Sequence, residues 1–239
     1  MASFGLAGTQ VVADYQGALW WPEQRLLVFA DLHFEKGSSY AKRTTQMLPP
    51  YDTLATLRVM QGILERYEPQ CVVCLGDNFH DPDGPARLDA KSRATIHSFM
   101  VKRRFVWIEG NHDAAAASLL GGESAAFLSI GPLHFRHEPL SEGDVVGEVA
   151  GHLHPSVTIT TRANRVRRKC FVTDGSRCVL PSLGAFTGGL DVFDDAFSNL
   201  FAVTFTTYAL GRERVYPFHY KSMRTTQRGL APGIGLKLR

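Results

Sequence analysis

The 239-residue sequence predicts an α/β protein with two β-sheets, the first of them parallel. In the first half, three near-continuous apolar runs alternate with two amphipathic segments, which is the strand–helix–strand order of a parallel sheet. In the second half, β-rich pieces alternate with tight turns and few helix signals, which favours a mixed sheet packed on the first. A hydrophobic content of 44% and a charged content of 21% are ordinary for a soluble globular protein and supply enough apolar surface for such a core.

Three strands of the first half are predicted from apolar runs that suit a strand covered on both faces. These runs are residues 25–30, 71–75 and 104–108. A β-rich segment over 10–15 precedes them. Residues 34–50 are expected to form a loop, and an apolar stripe from Leu54 to Tyr67 then predicts a helix. A second amphipathic helix is expected over 86–100, and a short one over 114–120.

The predicted second sheet begins with strands over 133–136 and 145–150. Near the end of the chain, segments 200–210 and 214–218 predict a hairpin that turns at Gly211. We expect residues 1–220 to form a single domain, because no linker composition separates the two halves. The basic stretch 221–239 is expected to be a partly disordered tail.

Composition limits the partners and the compartment. The net charge of +3 and the pI near 8.7 permit a nucleic-acid partner without requiring one. No apolar run approaches the roughly 20 residues that cross a bilayer, and the first residues lack the features of a signal peptide. The cysteines are too few for a disulfide scaffold, and Cys71-x-x-Cys74 lies inside a strand with its members on opposite faces. We therefore expect a cytoplasmic protein without a membrane partner.

Polar clusters follow five of the predicted strands, at the point where each strand ends. The clusters are Asp31-x-His33, Gly76-Asp77, Gly110-Asn111-His112-Asp113, His137 and Gly151-His152-x-His154. Sites in α/β proteins are commonly built at such strand ends. Taken singly, each cluster is explained as a surface pair or a turn. Their joint occurrence in one short chain favours a metal site.

The clusters predict a site for two divalent metal ions, because they offer carboxylates, imidazoles and one amide. The first ion is assigned Asp31, His33, Asp77 and His154, and the second is assigned Asp77, Asn111, His137 and His152. Two ions about 3.5–4 Å apart need a shared ligand, and Asp77 is the candidate whose strand can lie centrally. A ligand set without thiolate favours Mn²⁺, with Fe²⁺ or Zn²⁺ as alternatives.

The same residues predict a reaction at phosphorus. A hydroxide between the ions would be the nucleophile, because metal binding lowers the pKa of water from 15.7 toward about 7. His112, held by Asp113, would protonate the leaving oxygen or stabilise the charge developing there. His112 and Asp113 are therefore the candidate catalytic residues.

As an ordered set, these motifs resemble the calcineurin-like metallophosphoesterase superfamily over roughly residues 26–155. The resemblance implies an α/β fold in the form of a four-layer αββα sandwich, in which two mixed sheets pack face to face with helices outside. The segment Asp81-Pro82-Asp83 stands where the Ser/Thr protein phosphatases of this superfamily have Asp-Arg-Gly, and Asp113 stands where they have Glu. These departures disfavour a phosphoprotein substrate.

Further segments are similar to the bacterial ligase-associated DNA damage response endonuclease (PdeM) family. They are residues 31–36, 48–53, 136–139 and 180–189. This resemblance implies a DNA phosphodiester substrate, and it implies an association with a DNA ligase, a helicase and an exonuclease in DNA repair.

Substrate contacts are expected from residues near the clusters. Lys36 lies three residues after His33, and His80 and Asp81 lie just beyond the Asp77 turn. Five positive charges fall within eight residues, and they are Arg162, Arg165, Arg167, Arg168 and Lys169. Beside the metals this stretch could hold a nucleic-acid backbone. The alternative is a solvated hairpin edge, where charges discourage edge pairing.

The sequence thus predicts a dinuclear metal phosphoesterase, with a DNA phosphodiesterase or nuclease as the first hypothesis. The second hypothesis is a phosphomonoesterase, or a small-nucleotide phosphodiesterase or pyrophosphatase. A non-catalytic scaffold on the same fold is the third, and the presence of all seven proposed ligands argues against it. The sequence leaves the oligomeric state open.

Overall fold

Two β-sheets lie face to face in the computed structural model of the chain, which describes residues 1–43, 49, 51–111, 119–141, 145–160, 165–201 and 204–220. Residues of both sheets share one buried cluster, so the sheets pack directly on each other. Helices lie against the outer faces. The predicted arrangement of two mixed sheets with flanking helices is therefore confirmed.

The first sheet has an antiparallel half and a parallel half. Its strands in chain order are β1 (Ala2–Leu6), β2 (Thr9–Ala13), β3 (Leu19–Trp21), β4 (Leu26–Ala30), β5 (Cys71–Leu75), β6 (Arg104–Ile108) and β7 (Glu123–Ala125). They lie side by side in this same order. The pairs from β1 to β4 are antiparallel, and those from β4 to β7 are parallel. The parallel half places the carboxyl ends of β4, β5 and β6 at one edge.

The second sheet is also mixed. Its strands are β8 (Leu128–Ile130), β9 (Leu133–Arg136), β10 (Glu148–Ala150), β11 (Ser156–Thr160), β12 (Arg165–Thr173), β13 (Arg177–Val179), β14 (Thr206–Leu210) and β15 (Val215–His219). The spatial order is β15-β14-β12-β13-β10-β9-β8, and β11 pairs with β12. Strands β9, β10 and β13 run parallel, so their carboxyl ends also meet at one edge.

Side chains of the central strands alternate between two buried cores. In β4, Leu26 and Val28 face the second sheet, whereas Leu27 and Phe29 face the helices. The strands β5 and β6 alternate in the same way. This double coverage explains why these strands are near-continuous apolar runs. It also buries Cys71 and Cys74 in different cores, as expected.

The described helices are α1 (Lys36–Arg43), α2 (Asp52–Tyr67), α3 (Gly84–Arg87), α4 (Ala90–Met100) and α5 (Asp195–Ser198). Apolar residues of α2 and α4 pack on the outer face of the first sheet. Phe197 of α5 packs on the outer face of the second sheet. None of the helices in the described ranges combines the length and the apolar character needed to cross a bilayer.

The expected loop over 34–50 was wrong, because its first part forms α1. This helix has few apolar residues, so no stripe in the sequence indicates it. Its first turn is held instead by the start of α2, because Asp52 accepts a hydrogen bond from the Gly37 backbone N–H at 3.1 Å. Thr53 accepts one from the Glu35 N–H at 2.9 Å. Side chains distant in sequence thus replace the local cap that helices usually use.

Two further segments differ from the prediction. The helix expected over 86–100 is divided into α3 and α4, because the Asp89 side chain accepts the Lys91 and Ser92 N–H groups and starts a new helix. The strand expected from residue 200 begins only at Thr206. Phe201 stacks on Phe197 and contacts Phe205, which keeps this stretch on the outer core instead. The expected helix over 114–120 and the tail 221–239 lie mostly or wholly outside the described residues.

A buried ion network joins the strands that lead to the site. Glu148 of β10 is fully buried, and its carboxylate lies 2.6 Å from Arg177 Nε of β13 and 3.3 Å from Arg136 Nε of β9. The same carboxylate accepts the Leu140 N–H at 3.0 Å. Arg177 donates to the Leu140 and Leu200 carbonyls. One carboxylate therefore ties together three parallel strands and the segment after His137.

We expect Glu148→Ala to lower the free energy of unfolding by about 3–5 kcal/mol, because it leaves Arg177 buried without its counter-charge. The matched control is Glu123→Ala, which removes an exposed carboxylate 2.7 Å from Arg104. That change is expected to cost no more than about 1 kcal/mol. Urea denaturation followed by circular dichroism measures both. Equal losses in the two variants would contradict a structural role for the buried network.

Candidate metal centre

The polar clusters lie together because the carboxyl ends of the parallel strands in one sheet meet those of the parallel strands in the other. The His152 backbone N–H, just after β10, donates to both Asp31 carboxylate oxygens at 3.1 and 3.0 Å. His137 Nδ1, just after β9, lies 3.0 Å from the Leu75 carbonyl oxygen at the end of β5. Both bonds cross from one sheet to the other. They bring the strand ends singled out in the sequence into a single site.

Asp31, His33 and His154 form what we call the first ligand group. His33 Nε2 lies 3.2 Å from His154 Nε2, which lies 3.4 Å from Asp31 Oδ1. Asp31 and His33 are buried, and His154 is partly buried. One nitrogen or oxygen from each residue lies within 4.8 Å of the others, so the three could hold one ion.

Asp77, His137 and His152 form the second ligand group. His137 Nε2 lies 3.1 Å from His152 Nδ1 and 3.5 Å from Asp77 Oδ1. The Leu75 carbonyl can only accept, so His137 Nδ1 carries the proton and donates to it. The lone pair of the ring therefore lies on Nε2, which faces the other two members of the group. Metal-binding histidines are usually oriented by a bond of this kind.

The spacing and the chemistry of both groups fit divalent metal ions. Two nitrogens that bind one ion at about 2.1 Å each lie about 3.0–3.4 Å apart. The paired imidazoles are separated by 3.2 Å in the first group and 3.1 Å in the second. Imidazole and carboxylate donors without thiolate suit Mn²⁺, Fe²⁺ and Zn²⁺.

The two ligand groups adjoin each other around Asp31 and Asp77. The Asp77 backbone carbonyl accepts the His33 N–H at 2.9 Å, which joins the second group to the first. Asp31 Oδ1 lies 3.7 Å from His137 Nδ1. The Asp77 carboxylate itself belongs to the second group, and its sharing between two ions stays a prediction.

Most residues of the two groups have a left-handed backbone. Their φ angles are 51° at Asp31, 44° at His33, 43° at Asp77, 69° at His152 and 47° at His154. Residues other than glycine rarely adopt this conformation, although Asp and His do so more readily than most. Such strained positions cluster at functional sites, where the surrounding structure enforces them. The sequence pattern carried no signal for this feature beyond the residue types themselves.

Two glycines allow the close approach of the ligands. A Cβ on Gly76, whose φ is +61°, would meet the His137 ring at 2.5 Å. A Cβ on Gly151 would meet Asp31 Oδ2 at 2.7 Å. The glycine that precedes Asp77, and the one that precedes His152, are therefore required by the packing of the site.

The third predicted cluster is only partly described. Asn111 is exposed and follows β6, whose carboxyl end lies beside that of β5. This places Asn111 at the correct edge of the sheet, as its proposed ligand role requires. His112 and Asp113, the predicted catalytic residues, lie outside the described residues.

The predicted substrate-side residues differ in their surroundings. The His80 ring lies 5.8 Å from His33 and 5.5 Å from Tyr40, between ring centroids. Lys36 is partly buried, and its Nζ lies 6.0 Å from the centre of the Tyr40 ring. Burial lowers the pKa of the Lys36 ammonium, although the negative charge of Asp52 acts to raise it. His80 therefore lies close to the first ligand group, and Lys36 lies beside Tyr40, whose ring is near that of His80.

Asp81 is buried and paired within the protein. Both of its carboxylate oxygens accept from Arg87, at 2.8 and 2.7 Å. Burial would raise the pKa of this carboxyl, but the bonds to Arg87 hold it well below its usual range. These contacts favour a structural part for Asp81, which fixes the loop after Asp77.

Four members of the basic stretch lie on β12, and they differ in their contacts. Arg165 and Arg168 are exposed. The Arg167 Nε donates to Ser156 Oγ at 2.8 Å, and its guanidinium also donates to the Gly189 carbonyl. Arg167 is exposed as well, but these bonds fix its guanidinium on the protein, so Arg165 and Arg168 are the better candidates for contact with a ligand. Arg162 lies outside the described residues.

Lys169 anchors the segment 182–187, a role that was not predicted from the sequence. We call this segment the anchored loop. Lys169 Nζ donates to the Ser182 carbonyl at 2.8 Å, the Gly184 carbonyl at 3.2 Å and Thr187 Oγ1 at 2.8 Å. Burial lowers the pKa of Lys169 to about 8, although the negative charge of Asp31 acts to raise it. The signal in the sequence was the alternation of 165, 167 and 169, which places these three side chains on one face of a strand.

Two solved structures are similar to the chain to different degrees. The crystal structure of Pseudomonas putida nuclease MPE has 27% sequence identity to the chain and a TM-score of 0.70, covering 91% of this chain and 99% of its own. Yfce, a phosphoesterase from E. coli, has 19% identity and a TM-score of 0.42, covering 81% of this chain and 97% of its own. No curated protein was found to match the sequence.

The model of a protein family matches a large part of the chain, including both ligand groups. Residues 24–176 match the calcineurin-like phosphoesterases. That range is more than half of the chain and contains every residue of both ligand groups. The chain therefore belongs to the calcineurin-like phosphoesterase family and is a hydrolase of phosphoester bonds.

Proposed function

We propose that the protein is a dinuclear metal-dependent phosphodiesterase that acts on DNA. The observation that carries this proposal is the pair of adjoining ligand groups, each with two imidazoles and one carboxylate, at one sheet edge. One ion would be held by Asp31, His33 and His154, and the other by His137, His152 and Asn111. Asp77 would be the shared ligand, because its side chain belongs to one group and its backbone carbonyl binds the other.

A nucleic-acid substrate is supported by two independent features. The solved structure with 27% identity over 91% of the chain is described as a nuclease. The chain also presents Arg165 and Arg168 to solvent on β12, the strand from which Lys169 reaches the anchored loop. Exposed cations at such a position suit phosphate groups on either side of the scissile bond. The resemblance of the motifs to the ligase-associated endonucleases supports DNA and a role in its repair.

The residues of the site divide the work of hydrolysis. When bound, divalent ions, for which we propose Mn²⁺, supply Lewis acidity and hydroxide at neutral pH. His137 is kept in one tautomer by the Leu75 carbonyl, so its Nε2 can bind a cation. His112, supported by Asp113, would deliver a proton to the leaving oxygen. Lys36, which is partly buried and follows His33 by three residues, would bind a non-bridging phosphate oxygen.

The ligand role of Asp77 and the acid role of His112 predict different losses. Asp77→Asn is expected to abolish Mn²⁺-dependent hydrolysis of bis-p-nitrophenyl phosphate and to reduce the metal content sharply, because it removes a charged donor. His112→Ala is expected to lower the rate on the order of 10²–10⁴-fold while the metal stays bound. Metal analysis and initial rates on the same preparations separate the two roles.

The control for these variants is Asp195→Asn, which alters an exposed carboxylate on α5. It should leave rate and metal content unchanged. Full activity of Asp77→Asn or of His112→Ala would contradict the mechanism. A wild-type enzyme that hydrolyses simple esters but none of a panel of DNA substrates would contradict the proposed substrate only.

Gly76→Ala is expected to displace His137 and weaken metal binding. The new Cβ would meet the His137 ring at 2.5 Å, and the φ of +61° is unfavourable for alanine by about 1–2 kcal/mol. Gly62→Ala is the control, because a Cβ there meets nothing within 4 Å and lies within α2. Thermal unfolding with and without added Mn²⁺ measures both variants. An unchanged stabilisation by Mn²⁺ in Gly76→Ala would contradict the ligand role of His137.

The exposed arginines of β12 predict a salt effect on DNA binding. Replacing both Arg165 and Arg168 with Ser should lower the slope of log affinity against log salt by about 0.7–0.9 for each phosphate that the protein no longer neutralises. The control is Lys102→Ser, which removes an exposed charge just before β6, whereas the site lies beyond the carboxyl end of that strand. This variant should leave the slope unchanged. Fluorescence anisotropy at several salt concentrations gives the slopes. Equal slopes for the wild type and the double variant would contradict a role of these arginines in DNA binding and would favour the alternative of a solvated hairpin edge.

A further inference from the structure

We propose that Phe186 in the anchored loop contacts a nucleobase next to the scissile phosphate and so gives the enzyme a preference for nucleotide esters. The inference rests on the proposed phosphodiesterase function. It assigns a specificity-determining role to a residue outside both ligand groups.

Phe186 lies beside the first ligand group through the backbone of its own loop. The Gly184 N–H donates to the Asp31 carbonyl at 3.1 Å, and the Leu183 N–H donates to the Ala30 carbonyl at 2.8 Å. Consecutive Cα atoms are about 3.8 Å apart, so Phe186 stands within about 7 Å of Gly184 along the chain. Phe186 is therefore two residues along the chain from a backbone bond to Asp31, a member of the first ligand group.

The loop holds Phe186 from both sides. The Ala185 N–H before it donates to Thr56 Oγ1 of α2 at 3.1 Å. Thr187 after it accepts from Lys169 Nζ at 2.8 Å, and its hydroxyl lies 2.8 Å from Ser182 Oγ. A side chain between two such anchors has its position set in advance, which lowers the entropy lost when a ligand binds it.

The conformation and exposure of Phe186 are unusual for its residue type. Its φ is 59°, a left-handed value that an aromatic L-residue rarely adopts. Its side chain is 49% exposed, so burial in the core does not account for this conformation. Glycine would suit the backbone at this position better. The backbone of Phe186 is strained and held by its neighbours, and its ring is half-exposed. Such a residue beside the proposed catalytic site is suited to contact with substrate.

A nucleobase is the substrate group that this ring fits. Stacking between an aromatic side chain and a base tolerates every base, because each has a π-face. Lys169 holds the loop with bonds to Ser182, Gly184 and Thr187. Both Asp31 and Lys36 are close enough to Lys169 to affect its pKa. A phosphate held near these cations would place its attached nucleoside over the anchored loop.

The test compares three phosphodiesters that share the p-nitrophenyl leaving group. They are the p-nitrophenyl esters of thymidine 5′-phosphate and thymidine 3′-phosphate, and methyl p-nitrophenyl phosphate, which carries no base. Wild type should prefer at least one thymidine ester over the methyl ester by about 10-fold in kcat/KM. Phe186→Ala should reduce that preference to near unity, and Phe186→Tyr should retain it. The preferred ester reports on which side of the phosphate the ring lies.

Val101→Ala serves as the control, because Val101 is 60% exposed at the end of α4 and should leave the preference as in wild type. A preference that persists in Phe186→Ala, or its absence in wild type, would overturn the inference. Equal loss with Ala and with Tyr would also overturn it, since that result indicates a structural part for the loop. A wild-type enzyme that hydrolyses none of the three esters would overturn the proposed function as well, and this outcome is distinct from the others.

Discussion

The hydrogen bonds from the His152 backbone N–H to the Asp31 carboxylate join the two sheets at the centre of the site. Asp31 is fully buried, so these bonds act in a medium where electrostatic interactions are strong. Because Asp31 belongs to one ligand group and His152 to the other, these bonds tie the two groups to each other as well as the two sheets. The bond between His137 and Leu75 repeats this arrangement one strand further along. The buried network around Glu148 then holds the strands that carry the two histidines.

The positions of the predicted ligand clusters could be read from the sequence, because each cluster follows a segment that indicates a strand. The runs that end at Ala30, Leu75 and Ile108 are buried on both faces, so the glycine or polar residue that follows each one marks the strand end. Parallel pairing then places those ends at one edge, which follows from chain order and the twist of the sheet. Asp31 and His33 share one strand end and so fall together, whereas the choice of His154 over His152 for their group depends on the turn after β10, which no sequence pattern gives.

Other features depend on contacts between distant parts of the chain, and no local pattern carries them. The helix α1 depends on Asp52 and Thr53, which lie more than ten residues after its start. The pairing of Asp81 with Arg87 depends on a helix start between them, and it gives a structural part to a carboxylate that sequence position alone suggested for substrate. The buried state of Lys169 likewise depends on a loop that follows it by more than ten residues.

The left-handed backbone at five ligand residues bears on how the protein selects its metal. Those conformations are held by hydrogen bonds within the protein, such as the one from the His33 N–H to Asp77, rather than by the flexibility of a loop. A donor set fixed in this way keeps one spacing, so it would favour ions whose coordination fits that spacing and disfavour ions that need a different one. Nitrogen and oxygen donors also follow the general order of affinities, in which Zn²⁺ is bound more tightly than Fe²⁺ or Mn²⁺. For ions that fit equally well, the supply of each metal in the cell would then bear on which one is bound.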